Sequence, residues 1–191
     1  LRFLLHLLTM IGVALCVGFG LSWYALSDAG TVGSLRVGPW TAWREAGSPT
    51  PDPYTRAHVA RAGALQLGAS EGLQFIARND SDGERLDRHC RYRIDGTTPI
   101  AAFWTLVPVD ADFAVITRPG TPRALNGTRI ARNEDGSLQL YVSRTISPRN
   151  WLEIAGDGAF SLVLTLYDTS SLSGTSSAPT SLPAIIREAC E

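Results

Sequence analysis

The chain contains no lysine, and all 17 of its basic residues are arginine. A genome of high GC content accounts for that bias. Arginine-specific recognition of carboxylate or phosphate is a sharper reading that the count alone does not carry. Charge is scarce: only 18% of the 191 residues are charged, and the formal net charge is -1. Neither nucleic acid nor an acidic membrane surface is therefore expected as an electrostatic partner. Histidine and cysteine are rare, at three each, and no CxxC or HxxxH spacing occurs. No metal site and no cofactor is expected from such ligands. The GxSxG, HExxH, Walker and Rossmann signatures are missing, and nothing in the spacing points to a Ser–His–Asp triad, so no catalysis is evident.

What the chain does have is one long apolar run. Phe3 to Leu26 carries a single ionisable group, His6, and ends in Trp23 and Tyr24. A helix of about 20 apolar residues crosses the hydrocarbon core of a bilayer, and aromatic rings favour the headgroup layer at its edge. A secretory signal is the rival reading, and Ala25-Leu26-Ser27 resembles a cleavage site. The apolar part of a signal is usually about 7–15 residues, shorter than this run, so a retained anchor over residues 1–27 is expected. Arg2 precedes the run and Asp28 is the first charge after it. The positive-inside rule then puts the N-terminus in the cytoplasm and the remaining chain outside. Gly12, Cys16 and Gly20 share one helix face, and Ala14, Gly18 and Ser22 a neighbouring one. Small residues at this spacing let a second helix approach closely, so the expected partners are membrane lipid and an integral membrane protein.

Cys16 lies inside the apolar run, which leaves Cys90 and Cys190 as the pair outside it. In an oxidising compartment such a pair is read as one disulfide. It would close a loop of about 100 residues, worth up to roughly 4.7 kcal/mol in the chain-entropy model.

Residues 28–53 are rich in glycine and proline and read as a linker, with local structure only near Val37-Gly38-Pro39-Trp40. Trp40 and Trp43 are expected to be packing anchors. Pro53 followed by an alanine-rich stretch to Ala62 predicts a short helix. From residue 71 onward the pattern is that of strands separated by turns. Glu71 to Arg78, Arg91 to Ile94, Ala102 to Val109, Phe113 to Ile116, Leu138 to Ser143 and Ala159 to Tyr167 are the predicted strands. The run ending at Val109 is expected to be buried on both faces, with Pro108 marking its end or a bulge, and the run ending at Tyr167 to alternate. Ser170 to Thr180 reads as an exposed low-complexity loop, and Pro183 to Ala189 as a short terminal helix. The sum is a mainly β chain: a β-sandwich or jelly-roll-like domain over residues 54–191 with one short helix, preceded by a single transmembrane helix.

Few residues suggest chemistry. Asp110 and Asp112 alternate after a buried strand and could share a face, although a polar turn has the same look. Asp80, Asp82 and Glu84 alternate around Gly83 without meeting the spacing of a calcium loop. Tyr54, Arg56, Glu71, Trp104 and Asp110 are the candidates to line a small-molecule or glycan pocket on the β domain.

The ordered set DPYTRAxVAR (Asp52 to Arg61), EGLQFIARNDSDG (Glu71 to Gly83), Cys90-Arg91-Tyr92-Arg93, AFWTLVPVD (Ala102 to Asp110), NEDGSLQLYVS (Asn133 to Ser143), NWL (Asn150 to Leu152) and GAFSLVLTLYD (Gly158 to Asp168) resembles the bacterial DUF1214 family, of unknown function. The resemblance spans nearly all of Trp40 to Cys190. It implies a β-sandwich domain of the cell envelope, and many members carry a membrane anchor or a signal. It also implies a possible partner containing the DUF1254 domain. No catalytic residues come with it. Here Val107-Pro108-Val109 stands where similar sequences usually read more like Leu-Tyr-Asp, a departure at a strand end. The expectation is a periplasmic interaction module on the bacterial inner membrane, acting as an accessory subunit of a membrane complex. The alternative is an envelope binding domain or enzyme with a pocket on its sheets.

Overall fold

The computed structural model describes residues 2–26, 33–63, 67–68, 71–97, 101–168 and 181–190. It begins with α1 (Arg2–Leu26), a helix of 25 residues. No acidic residue enters its first turn and no basic residue its last, so apolar composition rather than charge complementarity to the macrodipole defines it. Arg2–Tyr24 is long and apolar enough to cross a membrane, and none of its most apolar window is buried by the rest of the chain.

Among the described residues ten strands follow, in two sheets. β1 (Leu35–Val37), β2 (Trp40–Ala42), β3 (Gly72–Ala77), β5 (Phe103–Val109), β6 (Leu125–Asn126) and β9 (Ser161–Tyr167) form the larger sheet, in the order β1-β2-β3-β9-β5-β6. The smaller sheet is β10-β4-β7-β8, from β4 (Cys90–Gly96), β7 (Leu138–Ser143), β8 (Asn150–Glu153) and β10 (Ala184–Cys190). All neighbours are antiparallel except β7 and β8. A second helix, α2 (Pro53–Ala62), lies between β2 and β3 in sequence.

Period-two patterning gives β4 and β7 one buried face each. Their inward residues Tyr92, Ile94, Leu138, Leu140 and Val142 join Trp40, Phe75, Leu106, Leu162 and Leu164 of the larger sheet in one buried cluster. Both sheets thus share a core, and burial of this apolar area is the main favourable term of the fold. Trp40 is fully buried, and its indole N–H donates to the Pro183 carbonyl at 2.8 Å, tying the first hairpin to the last strand. Residues 35–42, within the stretch read as a linker, therefore belong to the larger sheet.

Three strand expectations change. β5 alternates between buried and half-buried, while β9 is buried on both faces, the reverse of the sequence reading. β9 sits between β3 and β5, and on its second face Val163 packs with Ile76 and Val109 beneath Trp43 and Val107. β5 lies one strand nearer the edge, beside the two-residue β6. Phe113 to Ile116 is not a strand. The Asp110 carboxylate accepts from the amides of Asp112 and Ala114, folding the chain into a tight turn with Phe113 at φ 59° and only a single bridge, Val109 to Val115. Pro183 to Ala189 is not helical. Residues 184–190 pair along β4, from Ala184 opposite Asp95 to Cys190 opposite Cys90. Long-range pairing overrides the local helix preference of Ala, Arg and Glu. The Ser170 to Thr180 stretch lies outside the described residues.

Two glycines are fixed by close approach. A Cβ on Gly72 would lie 2.2 Å from the Leu166 carbonyl oxygen, and one on Gly127 would lie 2.8 Å from the Trp104 indole nitrogen. At Gly127 the sequence pair Asn126-Gly127 closes β6 back onto Trp104, whose carbonyl accepts the Gly127 amide at 3.0 Å.

Candidate functional site

α1 and α2 are in contact with each other. Asp52 caps α2: its carboxylate accepts from the amides of Tyr54 and Thr55 at 2.9 and 3.1 Å. Hydrogen bonds from Thr55 and Tyr54 hold that carboxyl below its ordinary pKa. Pro53 fills the first helical position, where no amide is needed, and Gly63 ends the helix in the left-handed conformation. The Asp52 cap therefore fixes where the helix starts, and Trp43 fixes how it sits. The Trp43 ring stacks on His58 at 3.7 Å between centroids. Among the described side chains of α2 only Thr55 is fully buried, while Tyr54, Arg56 and Arg61 are exposed.

At the other end of α2 the Arg61 guanidinium lies over the Trp23 ring, 5.4 Å from its centroid. Such a contact is worth about 0.5–1 kcal/mol at an exposed site. It places the last turn of α2 at the level of the aromatic end of α1. The sequence held the parts of this contact, an arginine in a last turn and a tryptophan at a helix end, but no spacing rule joins them. Along α1, Gly12, Gly18 and Gly20 meet nothing within 4 Å of an added Cβ, and Cys16 is a free, exposed thiol. Thr9, Met10, Val13, Ala14, Val17 and Gly18 line a shallow apolar groove on the same helix.

The five pocket candidates divide. Tyr54 and Arg56 stand on exposed α2. Trp104 is in the core, under Gly127. Glu71 accepts from the Gly68 amide at 3.2 Å and Asp110 closes its own turn, so both carboxylates organise backbone. No described contact joins these three to α2. Asp80 is also occupied: it accepts from the amides of Asp82 and Glu84 and pairs with Arg187 at 3.0 Å.

Cys90 and Cys190 form a disulfide across β4 and β10, closing a sequence separation of 100. An ion pair joins exposed Arg118 to the buried carboxylate of Glu153 on β8. Burial acts to raise the Glu153 pKa, but the Thr121 hydroxyl and the Arg118 guanidinium outweigh it and keep the carboxyl below its ordinary value.

The family model for DUF1214, described as a protein of unknown function, matches residues 71–171. The chain belongs to the DUF1214 family. Its DUF1214 region runs from the start of β3 past the end of β9, so α1, α2 and the first hairpin lie before it. The VPA0106 protein from Vibrio parahaemolyticus is similar in fold, with a TM-score of 0.59 at 17% identity over 74% of this chain. The chain covers 36% of that protein's length. An uncharacterized protein from Burkholderia cenocepacia aligns at 18% identity over 78% of this chain and 46% of its own, with a TM-score of 0.46. No curated protein matches the chain.

Proposed function

We propose that this DUF1214 protein is a membrane-anchored interaction module of the bacterial inner membrane. α1 crosses the bilayer, and the two sheets form a β-sandwich, jelly-roll-like domain in the periplasm. There it serves as an accessory subunit of a membrane complex. One observation carries the reading: a 23-residue apolar span whose most apolar window the rest of the chain leaves uncovered. In water such a surface is a large exposed patch, and it is stable only against lipid or another helix.

The disulfide supports an oxidising compartment for the β domain. Arg2 before the span and Asp28 after it support the orientation. The small-residue faces, Gly12-Cys16-Gly20 and Ala14-Gly18, give a second helix room to approach. The Arg61–Trp23 contact holds the domain close to the bilayer, within reach of a partner's periplasmic side. A DUF1254 protein is the first partner to look for.

The test is gentle detergent extraction of the full chain from native membranes, followed by sizing and mass spectrometry. A stoichiometric integral membrane protein that is released by Gly18→Leu supports the proposal. A monomer that copurifies with nothing overturns the accessory role. Recovery of the chain in the soluble periplasmic fraction, shortened at its N-terminus, overturns the anchor.

A further inference from the structure

Four cation-forming side chains converge beside the disulfide. Arg88 and His89 lie just before β4 and Arg91 is on it, while Arg144 follows β7, the neighbour of β4 in the sheet. With Ser143, Thr145, Ala189 and the Cys90–Cys190 pair they line a cleft of about 270 Å³. Strand pairing brings two distant stretches of sequence together there, and no spacing within either stretch announces the site.

The donors in this cleft are poorly used. Arg88 gives one N–H to the Ala155 carbonyl at 3.1 Å, and its Nε is buried without a partner. Arg91 reaches the Thr145 hydroxyl only at 3.4 Å. Two carboxylates face the cluster. Asp87 holds His89 Nδ1 at 2.9 Å. Asp157 lies 3.3 Å from His89 Nε2 and 3.5 Å from Arg144 Nη1, and its side chain is 75% exposed. Charge-assisted bonds in good geometry are about 2.7–2.9 Å. Asp157 is therefore a loosely held internal carboxylate set against an arginine and a histidine. An oxyanion free to position itself can take shorter, forked bonds from the same donors.

We propose that this cleft binds the oxyanion group of a small molecule, a phosphate or a carboxylate, clamped by Arg91 and Arg144 with His89 and Thr145 as further donors, and that the ligand displaces Asp157. Three guanidiniums against two carboxylates leave the cleft with a positive balance. Arginine's planar fork suits both phosphate and carboxylate. The proposal is independent of how the chain is anchored.

The test is isothermal titration calorimetry of the full chain in detergent with inorganic phosphate and, separately, succinate. Sodium chloride at equal ionic strength is the control. Saturable binding of either probe is expected in the unaltered protein. It should weaken about tenfold or more in R91Q and in R144Q, each the loss of one charge-assisted clamp. It should tighten several-fold in D157N, which removes the competing carboxylate. Arg144 is exposed, so R144Q leaves the core untouched. Binding of phosphate alone assigns a tetrahedral ligand group, and of succinate alone a carboxylate. No saturable heat with either probe overturns the proposal, as does heat matched by sodium chloride or unchanged in R91Q and R144Q. Binding that D157N fails to strengthen overturns the displacement of Asp157.

Discussion

Replacing both bridging cysteines, Cys90→Ala together with Cys190→Ala, removes the covalent tie between β4 and β10 and leaves the rest of the smaller sheet in place. The loop released spans 100 residues, for which the chain-entropy model gives about 4.7 kcal/mol at 25 °C. The native strand stays docked by other means. The Ser81 amide and hydroxyl bond the Ile185 carbonyl and amide, each at 2.9 Å, Arg187 pairs with Asp80, and Ile185 is fully buried. The expected outcome is thus a folded protein that is less stable by about 3–5 kcal/mol, not a lost fold. For a chain of this size about 1 kcal/mol corresponds to roughly 2–4 °C, so the melting temperature should fall by roughly 10 °C. The assay is thermal and urea unfolding of the full chain in detergent, with and without reductant. Reductant should shift the unaltered protein by a similar amount and leave the double variant unmoved. A loss under about 1 kcal/mol, or a reductant effect on the double variant, would refute the reasoning.

Three further outcomes follow from the same structure. Gly72→Ala puts a Cβ onto the Leu166 carbonyl at the β3–β9 pairing, and urea unfolding should show a loss of about 1–3 kcal/mol, the scale of an overpacked core. Arg118→Ala strips the charged partner from buried Glu153 and should cost about 1–3 kcal/mol by the same assay; an unchanged midpoint would mean that water replaces the arginine. From neutral pH downward, stability should depend on pH through carboxylates that the fold holds low. The amide and ring of His89 hold the Asp87 carboxyl below its ordinary pKa, the Ser137 hydroxyl and amide do so for Asp135, and Asp52 and Glu153 are held low as well. Each contribution is complete above the unfolded values of 3.8 for aspartate and 4.5 for glutamate and is lost as pH falls through the lower folded values. A melting temperature that is flat near neutrality and drops below about pH 4 is expected; a drop beginning near pH 6 would implicate a histidine instead.

Local patterns carried the reading where one physical term dominates. The apolar run of α1 and the start of α2 at Pro53 appear where the residues placed them, and the turns at Asn79 to Gly83 and Asn133 to Gly136 are equally local. Each depends on neighbours in sequence: continuous hydrophobicity, a side-chain cap, or a carboxamide or carboxylate bonding a backbone group a few residues away. The readings that changed depend on what lies across the sheet. Val163 and Thr165 are buried alongside Leu162 and Leu164 because β9 is central and covered on both faces. Ala184 to Cys190 is a strand because β4 offers an open edge and Cys90 a partner. The candidate site shows the same limit. Trp104, Glu71 and Asp110 looked available in sequence and instead pack the core or bond backbone. The arginines of the disulfide cleft come from the β4 and β7 regions, so no run of residues displayed them as a group.

The sequence by itself determined that one helix is apolar enough for a bilayer, that the rest is mainly β, and that two cysteines remain to pair. Composition and period are properties of a short stretch and survive without knowledge of distant contacts. Only the tertiary structure decided strand order, which strand is doubly covered, the placement of Arg61 over Trp23, and the gathering of Arg88, His89, Arg91 and Arg144 around one cleft. Those depend on pairings between residues far apart in the chain, where the free energy comes from shared burial and register rather than from any local preference.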